Sequence, residues 1–271
     1  MILFGVLGDP VSHSLSPVMH NAAFKALGLE CEYHAFRVSP EALRDAIHGA
    51  CALGFGGLNL TIPLKEKALE IVKPSDLAKQ IGAVNTVDFK NGIQGYNTDG
   101  IGAKMALESN GIKVKGKNVL LLGAGGAARA IAFQLAKDGA SVTIANRTVE
   151  RAEALAKDVR NVGKARGCGI DDLKERISNC DILINSTAVG MLPKIEETMV
   201  TSEMMHSSLV VFDIVYNPMS TKLLQEARKA GARTIDGVMM LVYQGAEAFR
   251  IWTGKTPPVD VMEKAVRERL A

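Results

Sequence analysis

From residue 117 onward, short runs of aliphatic and β-branched residues alternate with longer, alanine-rich amphipathic segments. The runs at 117–122, 141–145, 181–185 and 209–215 have the length and unbroken apolar character of strands covered on both faces. The intervening segments 127–138, 149–158, 170–177 and 221–230 carry apolar residues at helical spacing. Strand, helix and strand in regular succession predict right-handed crossovers and a parallel sheet with helices on both sides, a Rossmann-like doubly wound unit over 102–236. The first hundred residues form a second α/β pattern, with strands expected near Leu3, Tyr33, Leu58, Val87 and Gln94. A helix there is expected to open at Ser39-Pro40 as N-cap and first-turn proline. The segment 237–271 is helical by pattern and holds the single tryptophan, Trp252, ahead of a Pro257-Pro258 break. Because a doubly wound sheet is complete by about Asp236, this tail is expected to return to the first unit and close a two-domain cleft. The fold expected is therefore α/β with divisions 1–101, 102–236 and 237–271.

Length allows one large or two modest domains, since 271 residues at a typical domain size of about 150 correspond to about 1.8 units. Hydrophobic residues at 47% and charged residues at 23% belong to a globular chain and exclude disorder as its main state. A net charge of +3, from 32 Lys+Arg against 29 Asp+Glu, with no basic run, argues against nucleic acid as a partner. The longest uncharged stretch, 49–64, is interrupted by glycines, Asn59, Thr61 and Pro63, so no membrane span is expected. The beginning of the chain has neither the basic region nor the apolar run of a secretory signal, and cytoplasm is the expected location. Cys31, Cys51, Cys168 and Cys180 have no C-x-x-C spacing, and the five histidines form no metal-binding pair. Buried free thiols and no metal are expected.

The strongest motif is Gly123-Ala124-Gly125-Gly126-Ala127-Ala128, which follows one expected strand and opens one expected helix. In G-x-G-x-x-A the first glycine permits the tight turn and the second lets backbone approach a pyrophosphate. The small Ala128 keeps helix and strand close, and exposed N–H groups at the helix start attract the anion. A tight βα turn with no ligand is the plainer alternative. At the end of the next strand, where an NAD site carries an acidic residue, the chain reads Asn146-Arg147-Thr148. With Arg151 one helical turn on, both arginines can face a 2′-phosphate while Asn146 and Thr148 hydrogen-bond it, which favours NADP. The alternative pairs these arginines with Glu150 and Glu153 on a solvated helix face.

In the first unit, Ser12, Ser14 and Ser16 sit at alternate positions, so Ser14 and Ser16 would point the same way in an extended stretch and offer two donors to a carboxylate. A turn with helix caps is the alternative. Asn59 and Thr61 share one face of a strand that delivers Lys65 just past its end, and polar groups in an apolar strand need a partner, which a polyhydroxylated ligand would supply. Lys65, followed by Glu66 and Lys67, reads in isolation as a surface charge. Asn85-Thr86 and Asn97-Thr98-Asp99-Gly100 repeat the theme of amides and a carboxylate at strand ends, and Asp99 in isolation reads as a helix cap. Together these groups suit a hydroxylated small substrate.

The motifs Gly8-x-Pro10-Val11-x-His13-Ser14-x-Ser16-Pro17 with His20-Asn21, Asn59-x-Thr61-x-Pro63-x-Lys65, Gly82-Ala83-Val84-Asn85-Thr86 and Gly95-Tyr96-Asn97-Thr98-Asp99-Gly100 resemble the shikimate dehydrogenase family. So do the glycine-rich turn, Asn146-Arg147-Thr148, the stretch from Asp213 to Pro218, and Gly237-x-x-Met240-Leu241-x-x-Gln244. They run in order along nearly the whole chain. The resemblance implies an N-terminal substrate and catalytic domain, an NADP-binding domain and C-terminal helices, with NADP-linked reversible reduction of 3-dehydroshikimate to shikimate in aromatic amino-acid biosynthesis. It implies Lys65 and Asp99 as the catalytic pair and Ser14 and Ser16 as a carboxylate clamp. Asn59, Thr61, Asn85, Asp99 and Gln244, with Tyr216 nearby, are implied as hydroxyl-binding groups. Thr187, Met191, Ile214, Gly237 and Met240 are implied around the nicotinamide, and Asp76 as a weaker cofactor contact. The stretch 194–199 departs from the family's usual proline-bearing loop.

A lysine amine is protonated at neutral pH unless desolvated, and a neighbouring carboxylate favours the charged form. Lys65 is therefore expected mainly to bind and polarise the reacting oxygen, with Asp99 holding the amine. Two other readings compete. A quinate/shikimate dehydrogenase preferring NAD would carry an acidic residue just after the Asn-Arg pair, where Thr148-Val149 stand, and a serine with a threonine in place of Ser14 and Ser16. A regulatory protein without turnover predicts loss of Lys65 or Asp99, and both are intact. The expected partner is a small molecule, and the assembly a monomer or homodimer.

Overall fold

The computed structural model describes every residue except Asp172, which falls within the helix expected over 170–177 and lies outside the described residues. The chain divides into two compact units, Met1–Gly102 with Val242–Arg269 and Ala271, and Ala103–Leu241 with Leu270.

The first unit contains β1 (Ile2–Gly8), α1 (Ser16–Ala26), β2 (Cys31–Arg37), α2 (Leu43–Ala52), β3 (Gly57–Leu60), β4 (Lys73–Pro74), α3 (Asp76–Ile81), β5 (Thr86–Asp88) and β6 (Gln94–Tyr96). Helix α4 (Asp99–Ser109) starts in it. The sheet runs β2-β1-β3-β5-β6-β4, with β1 parallel to β2 and β3, and β5 antiparallel to β3 and β6. Its core joins Leu7, Leu58, Leu60 and Val87 from the strands to Leu43 and Ile47 of α2. Ser39-Pro40 does not open α2. Backbone bonds from Ala42 to Ser39 and from Leu43 to Pro40 make it a turn, and regular helix begins only at Leu43.

The second unit contains β7 (Asn118–Leu122), α5 (Gly126–Lys137), β8 (Ser141–Ala145), α6 (Val149–Val159), β9 (Lys164–Cys168), α7 (Leu173–Ser178), β10 (Ile182–Asn185), β11 (Val210–Asp213), α8 (Lys222–Lys229) and β12 (Arg233–Ile235). All pairings in the sheet order β12-β11-β10-β7-β8-β9 are parallel. Chain order reverses between β7 and β10, so the loops after these two strands emerge at the position where doubly wound sheets bind ligands. The patterning missed β9, whose sequence Lys-Ala-Arg-Gly-Cys has no apolar run because it is a partly exposed sheet edge. It also missed the three-residue β12.

Helix α9 (Val238–Thr253) begins in the second unit and continues into the first, and α10 (Val259–Leu270) follows. Within the first unit the Trp252 indole donates to Val87 O at 2.9 Å and packs on Phe4 with ring centroids 5.0 Å apart. This close seat requires Gly57, since a Cβ there would lie 2.1 Å from the indole nitrogen. The four cysteines are free thiols, but only Cys180 is buried. Cys31, Cys51 and Cys168 are half-buried, because β2, α2 and β9 keep them near sheet or helix margins.

Trp252→Ala is expected to lower unfolding free energy by about 3–5 kcal/mol, and Gly57→Ala to destabilise by crowding the same ring. The double variant should fall well short of the sum, because removing the indole vacates the space that the added methyl group needs. Denaturant unfolding followed by circular dichroism measures all three.

Candidate active site

Two polar clusters form at strand ends, one in each unit. In the first, Lys65 follows β3 and Asp99 opens α4. Lys65 Nζ donates to Asp99 Oδ2 at 2.6 Å, with side chains only 15% and 6% exposed. Lys65 is thus a nearly buried, paired cation rather than a surface charge. Nor does Asp99 act as a helix cap: its Oδ1 accepts from Asn85 Nδ2 at 2.8 Å, while its own N–H goes to Asn97 Oδ1 at 3.0 Å.

Asn85 is the hub. Its Nδ2 also lies 2.9 Å from Thr98 Oγ1 and 3.5 Å from Gln244 Oε1, and its Oδ1 accepts from Thr86 Oγ1 and Thr98 N, both at 2.9 Å. Gln244 of α9 comes this close because Gly102 of α4 has no side chain; a Cβ there would lie 2.8 Å from Gln244 Cβ. Asn59 joins from β3, donating to Asn85 O at 3.1 Å and Thr86 Oγ1 at 3.0 Å and accepting from Tyr33 Oη at 2.8 Å. Its buried amide therefore finds its partners in the protein, where the sequence suggested a ligand for that purpose. Thr61 lies half-buried just past β3, and its methyl takes the space left by Gly8.

Ser14 and Ser16 are not on an extended stretch. Ser14 N bonds to Val11 O to close a turn, Ser14 Oγ accepts from Ser16 N at 3.3 Å, and Ser16 is the first residue of α1. A turn is present, but not a capped one: Leu15 stands at the N-cap of α1 and no side chain makes a cap bond there. Both hydroxyls nevertheless lie in one short segment, Ser14 half-buried and Ser16 buried. Asp76 is exposed in the first turn of α3.

In the second unit, the loop after β7 leads into α5 through Gly123 and Gly125. Gly123 has φ +108°, and a Cβ there would meet Ser186 Oγ at 2.9 Å and Thr187 Cγ2 at 3.0 Å, so turn and packing both require glycine. Gly125 is different. Its φ of −89° suits any residue, and a Cβ would meet nothing within 4 Å. The protein's own packing therefore imposes no glycine at position 125, whereas a pyrophosphate lying on the backbone does. Helix α5 has no side-chain N-cap and no acidic residue in its first turn, which leaves its N-terminal N–H groups and dipole to an anion. These residues fit a dinucleotide.

At the end of β8, Arg147 and Arg151 are exposed and, among the described residues, form no ion pair with Glu150 or Glu153. Asn146 Nδ2 donates to Thr148 O at 2.9 Å, while Thr148 stands at the N-cap of α6 with its hydroxyl making no cap bond.

After β10, Asn185 Oδ1 accepts from Thr187 Oγ1 at 2.7 Å and Thr187 N at 3.1 Å, and Asn185 Nδ2 donates to Asp213 Oδ1 at 2.9 Å. Asp213 also accepts from Thr221 Oγ1 at 2.6 Å and Val215 N at 3.1 Å. This net fixes the loops that carry Thr187, Ile214 and the half-buried Tyr216. Gly237 has a packing reason of its own, since a Cβ would lie 2.3 Å from Ile214 O. Met191 is half-buried and Met240 buried. The sequence motifs contain Thr86 and Thr98 but assign them no role, and no site role was expected for Tyr33 of the first cluster or for Asn185 and Asp213 of the second. A polar residue at the end of an otherwise apolar strand was the available signal for the last two.

Family models cover most of the chain: the shikimate dehydrogenase substrate binding domain over residues 6–87, shikimate / quinate 5-dehydrogenase over 104–238, and the shikimate 5'-dehydrogenase C-terminal domain over 237–267. The chain belongs to the shikimate dehydrogenase family. A relative from Methanococcoides burtonii, a shikimate dehydrogenase (NADP(+)), is 63% identical over 99% of this chain and 98% of its own. A crystal structure of a shikimate dehydrogenase in complex with NADP+ superposes with TM-score 0.94 at 48% identity, covering 100% of this chain and 96% of that one. The Thermus thermophilus enzyme in complex with NADP(H) and shikimate gives 0.90 at 41% identity, covering 99% of each chain. The two-domain α/β fold, with a mixed sheet in the first unit and an all-parallel sheet in the second, is that of this family. Among the described residues no helix is long and apolar enough to cross a membrane, and no group of three or more His, Cys, Asp or Glu is arranged to hold a metal ion.

Burial raises Asp213 from 3.8 to about 6, against the pull of its three donors. A carboxyl whose folded value exceeds its unfolded one favours folding below the unfolded value, and that contribution is lost as pH rises through about 6. Asp213→Asn, which keeps an acceptor but cannot ionise, should therefore gain stability relative to the parent between pH 4 and 6.5, by up to about 3 kcal/mol. Unfolding free energies of the two proteins across that range measure the difference.

Proposed function

We propose that this chain catalyses the NADP-dependent, reversible reduction of 3-dehydroshikimate to shikimate in aromatic amino-acid biosynthesis. The observation that carries the reading is the buried Lys65–Asp99 pair, braced by Asn85, in a chain of this family. Bound NADPH supplies hydride to the substrate's C3 carbon, and NADP+ takes it back in the reverse direction.

Lys65 Nζ donates a hydrogen bond to the C3 oxygen and stabilises the negative charge that grows there as the carbonyl is reduced. The oxygen gains its proton along that bond. Asp99 Oδ2 holds the amine on target, and Asn85 keeps Asp99 from rotating away. Ser14 and Ser16 serve as the carboxylate clamp; Ser14 retains its hydroxyl hydrogen for the substrate, because its oxygen is the acceptor from Ser16 N. Thr61, Asn85, Asp99 and Gln244, with Tyr216, serve the hydroxyl groups, and Asn59 supports Asn85 from behind. On the cofactor side, the α5 N-terminus and residues 123–127 take the pyrophosphate. Asn146, Arg147, Thr148 and Arg151 take the 2′-phosphate, supported by two guanidinium groups that form no ion pair among the described residues and by the absence of an acidic residue from the β8 end. Thr187, Met191, Ile214, Gly237 and Met240 surround the nicotinamide, with Asp76 as an outer contact. Free thiols support a reducing, cytoplasmic setting.

The test is oxidation of NADPH on addition of 3-dehydroshikimate, repeated with NADH and, in reverse, with quinate. Turnover is expected with the first combination, and no turnover in any combination overturns the reading. Lys65→Ala is expected to reduce kcat by about 10²–10⁴-fold, and full turnover at saturating substrate would remove Lys65 from its assigned role. Arg147→Ala should raise the KM for NADPH by about tenfold or more with little change for NADH, as parallel titrations of the two cofactors will measure.

A further inference from the structure

The mechanism leaves the His20-Asn21 motif and one buried tyrosine without a task. On β2, the outer strand of the first sheet, only Tyr33 is buried, while its neighbours Glu32 and His34 are exposed. Its backbone is bound on both sides by one side chain of α1: Tyr33 N donates to Asn21 Oδ1 at 2.8 Å, and Asn21 Nδ2 donates to Tyr33 O at 2.9 Å. The phenol ring stacks on His20, with centroids 4.5 Å apart and planes 13° from parallel. His20 is wholly buried and, among the described residues, neither ring nitrogen has a partner, so burial lowers it to about 3 and the ring stays neutral. Held at backbone and ring, the Tyr33 hydroxyl reaches past β1 to Asn59 Oδ1 at 2.8 Å.

The direction of that bond is forced. Asn59 Nδ2 must face Asn85 O, a pure acceptor, so Oδ1 must face Tyr33, and Tyr33 must donate. Both Nδ2 hydrogens go to Asn85 O and Thr86 Oγ1, Thr86 Oγ1 donates on to Asn85 Oδ1, and Asn85 Nδ2 donates to Asp99 Oδ1. One polarised chain thus runs from Tyr33 to the carboxylate that holds Lys65.

We infer that Tyr33 is a positioning residue of the substrate site: through its hydroxyl it orients Asn59, and Asn59 sets the position of Asn85 beside Asp99. Asn59 acts here within the protein, with no N–H left for a ligand. This rests on the proposed function.

The test compares wild type, Tyr33→Phe, Asn59→Ala and the double variant in steady-state kinetics with 3-dehydroshikimate and NADPH, alongside thermal unfolding. Tyr33→Phe should raise KM for 3-dehydroshikimate about tenfold, leave KM for NADPH unchanged and keep the unfolding midpoint within a few degrees (about one lost hydrogen bond). In the Asn59→Ala background the same substitution should add less than about twofold, because the residue it acts through is already gone. An unchanged KM for 3-dehydroshikimate in Tyr33→Phe overturns the inference, as does a double variant equal to the product of the singles. A collapsed unfolding midpoint overturns it too, since the hydroxyl would then serve the fold. Wild type without turnover overturns the proposed function and this inference with it; wild type with turnover and an indifferent Tyr33→Phe overturns this inference alone.

Discussion

A charged pair removed from water is the constraint around which the first unit is built. Taking an ammonium and a carboxylate into a site of low exposure costs several kcal/mol for each ion. The cost is offset only if every lone pair and hydrogen has a directed partner. On the carboxylate side the pair meets that condition: Asn85 donates to the second oxygen of Asp99 and Asn97 accepts from its backbone N–H, with Asn85 completed by Thr86 and Thr98 and Asn97 by Ala83 O. The result is a rigid polar floor set among apolar strands. Its members come from the ends of β3, β5 and β6 and the start of α4, so the antiparallel turn of the sheet at β5 is what gathers them.

The second unit solves a different problem, that of presenting backbone rather than side chains. Its sheet places the two loops flanking the reversal of strand order at one end, and Gly123 allows them to touch. Asn185 and Asp213 then fix the loops by hydrogen bonds that an apolar residue at either strand end would not make. The raised Asp213 shows the strain in this arrangement: three donors do not fully replace the water that the carboxylate gives up.

Much of this was legible in the chain itself. Periodicity gave the central strands and helices of the second unit because they are long and covered on both faces. It missed β9, where an edge strand carries Lys164 and Arg166. The glycine-rich turn was legible because spacing and context agree, yet only the structure separates Gly123, needed for packing, from Gly125, which is not. Lys65 and Asp99 looked like a surface charge and a cap when each was judged by its neighbours, since the partner that changes their meaning lies 34 residues away in sequence. Tyr33 was invisible for the same reason, its hydroxyl reaching a strand 26 positions on. Ser14 and Ser16 were read in an extended geometry that the turn at Val11 prevents.

Asn21 has an effect beyond the site. An outermost strand normally offers unpaired amide and carbonyl groups along its free side, an open template for another chain to add to the sheet. At the centre of β2 that template is already occupied, because a side-chain amide takes the place of a neighbouring strand's peptide group at Tyr33. With Glu32, His34 and Arg37 exposed along the rest of the strand, edge-to-edge addition meets charge and a blocked register. The same amide that holds the tyrosine in place thus protects the sheet against growing by aggregation.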